Sequence, residues 1–371
     1  MLTLERGIGK AYGAEADLQA TAAFRGEVFP DLPIATTWQN LGKALTGSLQ
    51  ASATADPAPP FTHYTTRPGA LKVVTVAANL RSEREIERRV LAAAGEQAEA
   101  AGGQRADALL CVSGSHPVRT LPLATRFLRS SLDTLRVATR LKEAGHIHPG
   151  TQLWAVANPN TERDAVLLER KASLGASAVL TQPPLDWPAY LAWLDDVERR
   201  GLLRPAPQTE SASARPAAGS VHPTAGSGSV LQQLQQRSPA EGSKGQAGPS
   251  GSALSPTADA AASVGHSAGR LRLLVGHPVI SSAANLSFWV ALSGCGGSAA
   301  ARALLADAVA AEAEGKDAAA RHMMAYNQQL VSQVLARGGV AGMHVMPITK
   351  AAKRIVQAML TDGTLPRSEQ H

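Results

Sequence analysis

Four residues set close together in sequence could do chemistry jointly: Asp164, Arg170, Lys171 and Gln182, in the run D-AVLLE-RK-ASLGASAVLT-Q. The spacing predicts a Leu- and Ala-rich helix carrying Arg170 and Lys171 near its end, with Gly175 stopping it. A short apolar strand over 177–182 follows, and Pro183-Pro184 ends it. Gln182 then closes a buried strand at its carboxyl end, the face on which α/β barrels build active sites. Arg and Lys suit phosphate and ribose groups. A side-chain amide can pair in both directions with the edge of a heterocycle. Plainer roles are open for each residue. Asp164 follows Thr161 by three, the spacing of a capping pair. Cations near a helix C-terminus are favoured by the dipole. A polar residue closing an apolar strand simply needs a partner.

The elements that must position these residues alternate in type. Strands are expected at 72–77, 108–112, 152–157, 178–181, 271–275 and 342–346, short and β-branched as when both sheet faces are covered. Helices are expected between them. Ser82 to Glu85 reads as a capping box, Gly145 stops a helix that begins at Ser131, and a long Ala-rich region breaks near Gly315. This predicts an α/β fold, a (β/α)8 TIM-type barrel whose last two strands must come from the first 71 residues. Phe24 to Phe29 and Phe61 to Thr66 are the strands expected there. The stretch 204–269 is Ser, Ala, Gly, Pro and Gln with almost no large apolar residue, and reads as a disordered insertion. The expected organisation is therefore a poorly defined 1–71, a first barrel part at 72–203, the insertion, a last barrel part at 270–362 and a tail at 363–371. An open doubly wound sheet is the rival architecture, but no G-x-G-x-x-G follows any expected strand.

Composition narrows the function. The 371 residues are 44% hydrophobic with a net charge of +6, and Lys and Arg are interspersed with Asp and Glu, so no nucleic-acid partner is expected. Cys111 and Cys295 lie too far apart for a metal knuckle or a disulfide framework, and Cys111 reads as core filler. No apolar run of about 18 residues is present, so no membrane span is expected. Glu5, Glu15 and Asp17 argue against a secretory leader. A cytoplasmic location is expected, with an organellar one open. His116, His277 and His344 have no second ligand at metal spacing, and His344 reads as a satisfied core histidine.

The Asp164–Gln182 run resembles a segment of the flavin-dependent methylenetetrahydrofolate reductases. Gly276-His-Pro-Val-Ile-Ser281 is similar to the family's G-x-x-P-x-S turn, Gly315-Lys-Asp317 and the helix ending Leu335–Val340 to its penultimate helix, and Gly342-Met-His344 to its last strand. Ser113-Gly-Ser-His-Pro117 resembles its R-G-D-x-P turn. The likeness covers about 72–362 apart from the insertion. It implies an eight-stranded α/β barrel holding FAD, which takes hydride from NADH or NADPH and passes it to the methylene carbon of a folate substrate. By resemblance, Asp164, Arg170 and Lys171 match FAD-contacting positions, Gln182 a folate-contacting one, and Gly114 a turn glycine beside the flavin. The chain departs from the family at Ser115 (an aspartate there), Ser113 (an arginine), Asn158 (a flavin-side tyrosine) and near Thr75 (a histidine). Glu27-Val-Phe-Pro30 resembles the element bearing the family's catalytic glutamate. Two functions follow as expectations: reduction of 5,10-methylenetetrahydrofolate, or a barrel relative that binds folate, flavin or a partner without reducing anything. A homo-oligomer is compatible with either.

Overall fold

The computed structural model describes residues 1–6, 23–31, 66–79, 81–96, 98, 104–114, 128–204 and 270–366. Eight parallel strands close into a barrel: β1 (Leu2–Glu5), β2 (Gly26–Phe29), β3 (Leu71–Ala77), β4 (Ala108–Val112), β5 (Gln152–Ala157), β6 (Ala178–Thr181), β7 (Arg272–His277) and β8 (Val340–Val345). Each pairs with the next, and β8 returns to β1 with Leu2 opposite Met343 and Thr3 opposite His344. The expected barrel is therefore present, and the open-sheet rival is excluded.

Both missing strands come from the first 71 residues, but only one is where the sequence placed it. β2 lies inside Phe24–Phe29. The other is β1 at Leu2–Glu5, not Phe61–Thr66; Thr66 lies in the loop before β3, and 61–65 fall outside the described residues. Leu2–Glu5 has neither a glycine before it nor a proline stop after it, the two signals that mark β6. It is specified by its neighbours, β2 on one side and β8 on the other. The insertion expected at 204–269 lies, but for Arg204, outside the described residues. Its flanks meet side by side: Leu203 bridges Leu271, and Arg204 N–H donates to Leu271 O.

Side chains alternate across the sheet, as strand geometry requires. Val28, Val73, Leu110, Trp154, Leu180 and Leu274 fill the barrel interior. Phe29, Val74, Leu109, Cys111, Val179 and Val275 face the helices. Those helices are α1 (Glu83–Ala94), α2 (Ser131–Glu143), α3 (Val166–Ser173), α4 (Trp187–Arg199), α5 (Ala283–Leu292), α6 (Ala299–Ala313), α7 (Lys316–Leu335) and α8 (Lys350–Thr361). The Ser82–Glu85 capping box opens α1 as expected. Gly315, at φ 121°, separates α6 from α7, a conformation that only glycine adopts at little cost. Cys111 is fully buried, and burial pushes its thiol up to about 12, which leaves it inert core filler.

Candidate active site

Three inward-facing polar side chains meet where β8 closes onto β1. Thr3 and Glu5 lie two apart on β1 and so share the inner face, and His344 enters from β8. The Thr3 hydroxyl is 2.9 Å from His344 Nδ1, and His344 Nε2 is 2.8 Å from Glu5 Oε2. Thr3 and the imidazole are buried, whereas the Glu5 side chain keeps 26% exposure. The imidazole is thus held on both sides while the carboxyl group opens to the carboxyl-terminal mouth. Opposite His344 on β7 stands Gly276, where a Cβ would come within 2.3 Å of the Thr181 carbonyl oxygen. Only a glycine fits that close approach.

Either tautomer of a neutral His344 satisfies both bonds. If the Thr3 hydroxyl donates to Nδ1, Nε2–H donates to an ionised Glu5. If Nδ1–H donates to Thr3, Nε2 accepts from a protonated Glu5. The two arrangements differ by one proton, gained or lost at the Glu5 carboxyl group, which can thus act as acid or base toward a ligand in the mouth while the imidazole stays bonded on both sides.

Glu27 occupies a different place. Val28 is the inward residue of β2, so Glu27 faces the helices, where it forms a buried ion pair with Arg6 and accepts from Arg67 N–H at 3.4 Å. The expectation that Glu27 supplies the catalytic acid is corrected by this parity: Glu5, not Glu27, is the carboxylate at the mouth. The signal was present in Thr3-Leu-Glu5, two polar residues at period two, but only once that segment is recognised as a strand.

The ends of β4, β5 and β6 form one side of the mouth. Inward Val112 and Val156 are half-buried, whereas the inward Leu110 and Trp154 one layer below are buried. This leaves an apolar floor open to a flat ring. Gln182, half-buried and two residues beyond inward Leu180, lies on its rim; its backbone N–H donates to Ala157 O.

The other matched residues are engaged within the protein. Gly114 has φ 82°, and a Cβ there would lie 1.8 Å from Asn79 Oδ1, so the close approach it permits is made by the chain's own amide. Ser115 lies outside the described residues. Ser113 Oγ accepts the N–H of Ser131 at the start of α2. Asn158 donates from Nδ2 to Ser293 O. Asp164 Oδ1 accepts Val166 N–H at 3.0 Å, a local turn ahead of α3 in place of the expected pairing with Thr161; the N-cap of α3 is Ala165. Arg170 is exposed on α3. Lys171 is 2% exposed, and its Nζ donates to Val156 O. Burial holds the Lys171 ammonium below the usual lysine range, with Glu162 partly opposing the shift.

The turn after β7 is rigid and strained. Val279 has φ 45°, a costly conformation for a β-branched residue. Asn327 on α7 holds it through Ile280, accepting the N–H at 2.9 Å and donating to the carbonyl at 2.7 Å. Ser282 caps α5, and Ser281 bonds the Thr349 hydroxyl. His277 is fully buried, with no hydrogen-bond partner for either ring nitrogen among the described residues, and burial lowers its pKa to about 3. Among the described residues no three His, Cys, Asp or Glu side chains gather as a metal site, and no helix is long and apolar enough to cross a membrane. No protein-family model and no curated protein matches the chain.

Proposed function

We propose that this barrel reduces 5,10-methylenetetrahydrofolate to 5-methyltetrahydrofolate, using FAD with NADH or NADPH as electron donor, and so feeds methionine synthesis. The observation that carries the reading is the Thr3–His344–Glu5 chain at the mouth. Methylenetetrahydrofolate is a poor hydride acceptor until its five-membered ring opens. Opening breaks a C–N bond and requires a proton on the departing nitrogen. Glu5 is the exposed member of the chain and able to give that proton and to take another from solvent, while His344 holds its carboxyl group from the buried side. A positioned acid of this kind contributes roughly 10²- to 10⁴-fold in rate. Reduced flavin, when bound, supplies the hydride. Val112 and Val156 offer the floor on which a flat ring rests, Gln182 an amide for the pterin edge, and Arg170 a cation for the phosphates.

A second reading, a barrel that binds folate or flavin without reducing it, is favoured by the engagement of Lys171, Asp164 and Gly114 within the protein. One experiment separates the two. The purified chain is loaded with FAD and assayed for NADH- or NADPH-dependent formation of methyltetrahydrofolate. Turnover that falls at least a hundredfold in Glu5→Gln supports the reductase. Bound flavin without turnover leaves the binding protein, and a chain that takes up no FAD removes both flavin readings.

A further inference from the structure

Lys171 lies beneath the mouth and not in it. Its Nζ donates to the carbonyl of Val156, the penultimate residue of β5, and lies 3.8 Å from Glu162 Oε1. That same oxygen accepts the Asn158 N–H at 3.0 Å. The other carboxylate oxygen of Glu162 is buried, with no partner among the described residues. Asn158 Oδ1 then accepts from both the backbone N–H and the side-chain amide of Asn160. Asn158 Nδ2 reaches Ser293 O at 2.9 Å, and Asn160 reaches Pro183 O at 2.8 Å and accepts Asp186 N–H at 3.1 Å. The β5–α3, β6–α4 and α5–α6 connections are therefore joined through Asn158 and Asn160 to the Lys171–Glu162 pair.

We infer that Lys171 is a positioning residue that acts through Glu162 and Asn158 to set these three connections, and that it is not a phosphate ligand. Three features argue against a phosphate. The ammonium already has a carbonyl and a carboxylate. The Glu162 charge would lie close to any phosphate that reached Lys171 and repel it. Turning Lys171 outward would leave the partly buried Glu162 carboxylate, one oxygen of which is fully buried, without its counter-charge. The sequence gives no hint of this, because the partner sits in a loop, nine positions before Lys171. Phosphate recognition is left to exposed groups such as Arg170.

The test compares FAD with riboflavin, which has the same ring and no phosphate, on the full chain and on Lys171→Met, Glu162→Gln and the double variant. A positioning role weakens both ligands by the same factor, about tenfold, in either single variant. The double variant, which leaves no lone buried charge, recovers to within about threefold. Loss of FAD binding with riboflavin unchanged, or tighter FAD binding in Glu162→Gln, overturns the inference. Amide hydrogen exchange on the unliganded chain gives a readout independent of flavin. The Asn158 and Asn160 amides should exchange at least tenfold faster in both single variants while those of β4 stay protected. Unchanged protection there overturns the inference even if no flavin binds, and a failure of flavin binding alone counts against the reductase reading only. If Lys171→Met does not fold, Glu162→Gln breaks the same pair with near-identical shape and decides by the same amides.

Discussion

At the β8–β1 seam, a carboxylate and an imidazole project inward from strands, hydrogen-bond each other and leave the carboxylate partly open. At the β5–α3 corner, a carboxylate and an ammonium meet from a loop and a helix; the ammonium is buried against the end of a strand and the carboxylate is partly buried, turned toward loop backbone. Both places hold a charged pair near the barrel mouth, yet only the first can meet a ligand. The difference is one of direction. Strand residues of inward parity reach the shared interior, whereas a helix residue reaches back to the sheet and spends its charge on loop backbone. Glu27 makes the same point on the other face of β2: one residue from inward Val28, it is an architectural carboxylate.

The comparison breaks most sharply at Glu27. Glu27→Leu removes one end of a buried ion pair, a loss of about 3–5 kcal/mol in stability. It should lower the denaturation midpoint strongly, as followed by circular dichroism in urea, while the protein that remains folded turns over normally. A midpoint close to wild type with turnover lost would return Glu27 to the chemistry.

A smaller effect is expected at the hydroxyl behind the histidine. Thr3→Val keeps the shape and removes the bond to Nδ1. Turnover should fall about tenfold, equivalent to about 1.4 kcal/mol, with the pH–rate profile displaced and Thr3→Ser restoring it. An unchanged profile in Thr3→Val would separate the hydroxyl from the acid at Glu5.

His277 tests the helix-facing side with the mildest change at neutral pH. Its folded pKa, lowered to about 3, lies below the ordinary value of 6.5, so the unfolded chain binds the extra proton between these limits. The stability associated with its neutral form is thus present above about pH 6.5 and is lost progressively as pH falls toward 3. His277→Leu removes two ring nitrogens without partners among the described residues. It should alter stability at pH 7 by no more than about 1 kcal/mol and flatten the acid limb of the stability profile. An acid limb identical to wild type would show that other groups govern it.

The barrel was legible in the sequence where local chemistry writes it. The capping box at Ser82–Glu85, the break at Gly315 and the six apolar strands after residue 71 all carry local signals. β1 was not legible, because Leu2–Glu5 is a strand only by virtue of two partners distant in sequence. With β1 hidden, the seam was hidden too: Thr3 and His344 stand 341 residues apart, and only barrel closure brings them together. Lys171 was visible as a cation but not as a buried one, since nothing in the helix pattern announces Glu162 or the Val156 carbonyl. Asp164 has the spacing of a capping partner for Thr161, but its carboxylate instead accepts the N–H of Val166, a turn that spacing alone does not single out.

The most direct test of the account is single-turnover reoxidation of FAD-loaded, pre-reduced protein by methylenetetrahydrofolate, in wild type and in Glu5→Gln. The account predicts rapid reoxidation with methyltetrahydrofolate formed in wild type. In Glu5→Gln the rate should fall about 10²- to 10³-fold, while reduction of the flavin by the nicotinamide donor changes by less than about threefold. Equal reoxidation rates in the two proteins would remove Glu5 as the acid, and no reoxidation in the flavin-loaded wild type would contradict the reductase itself.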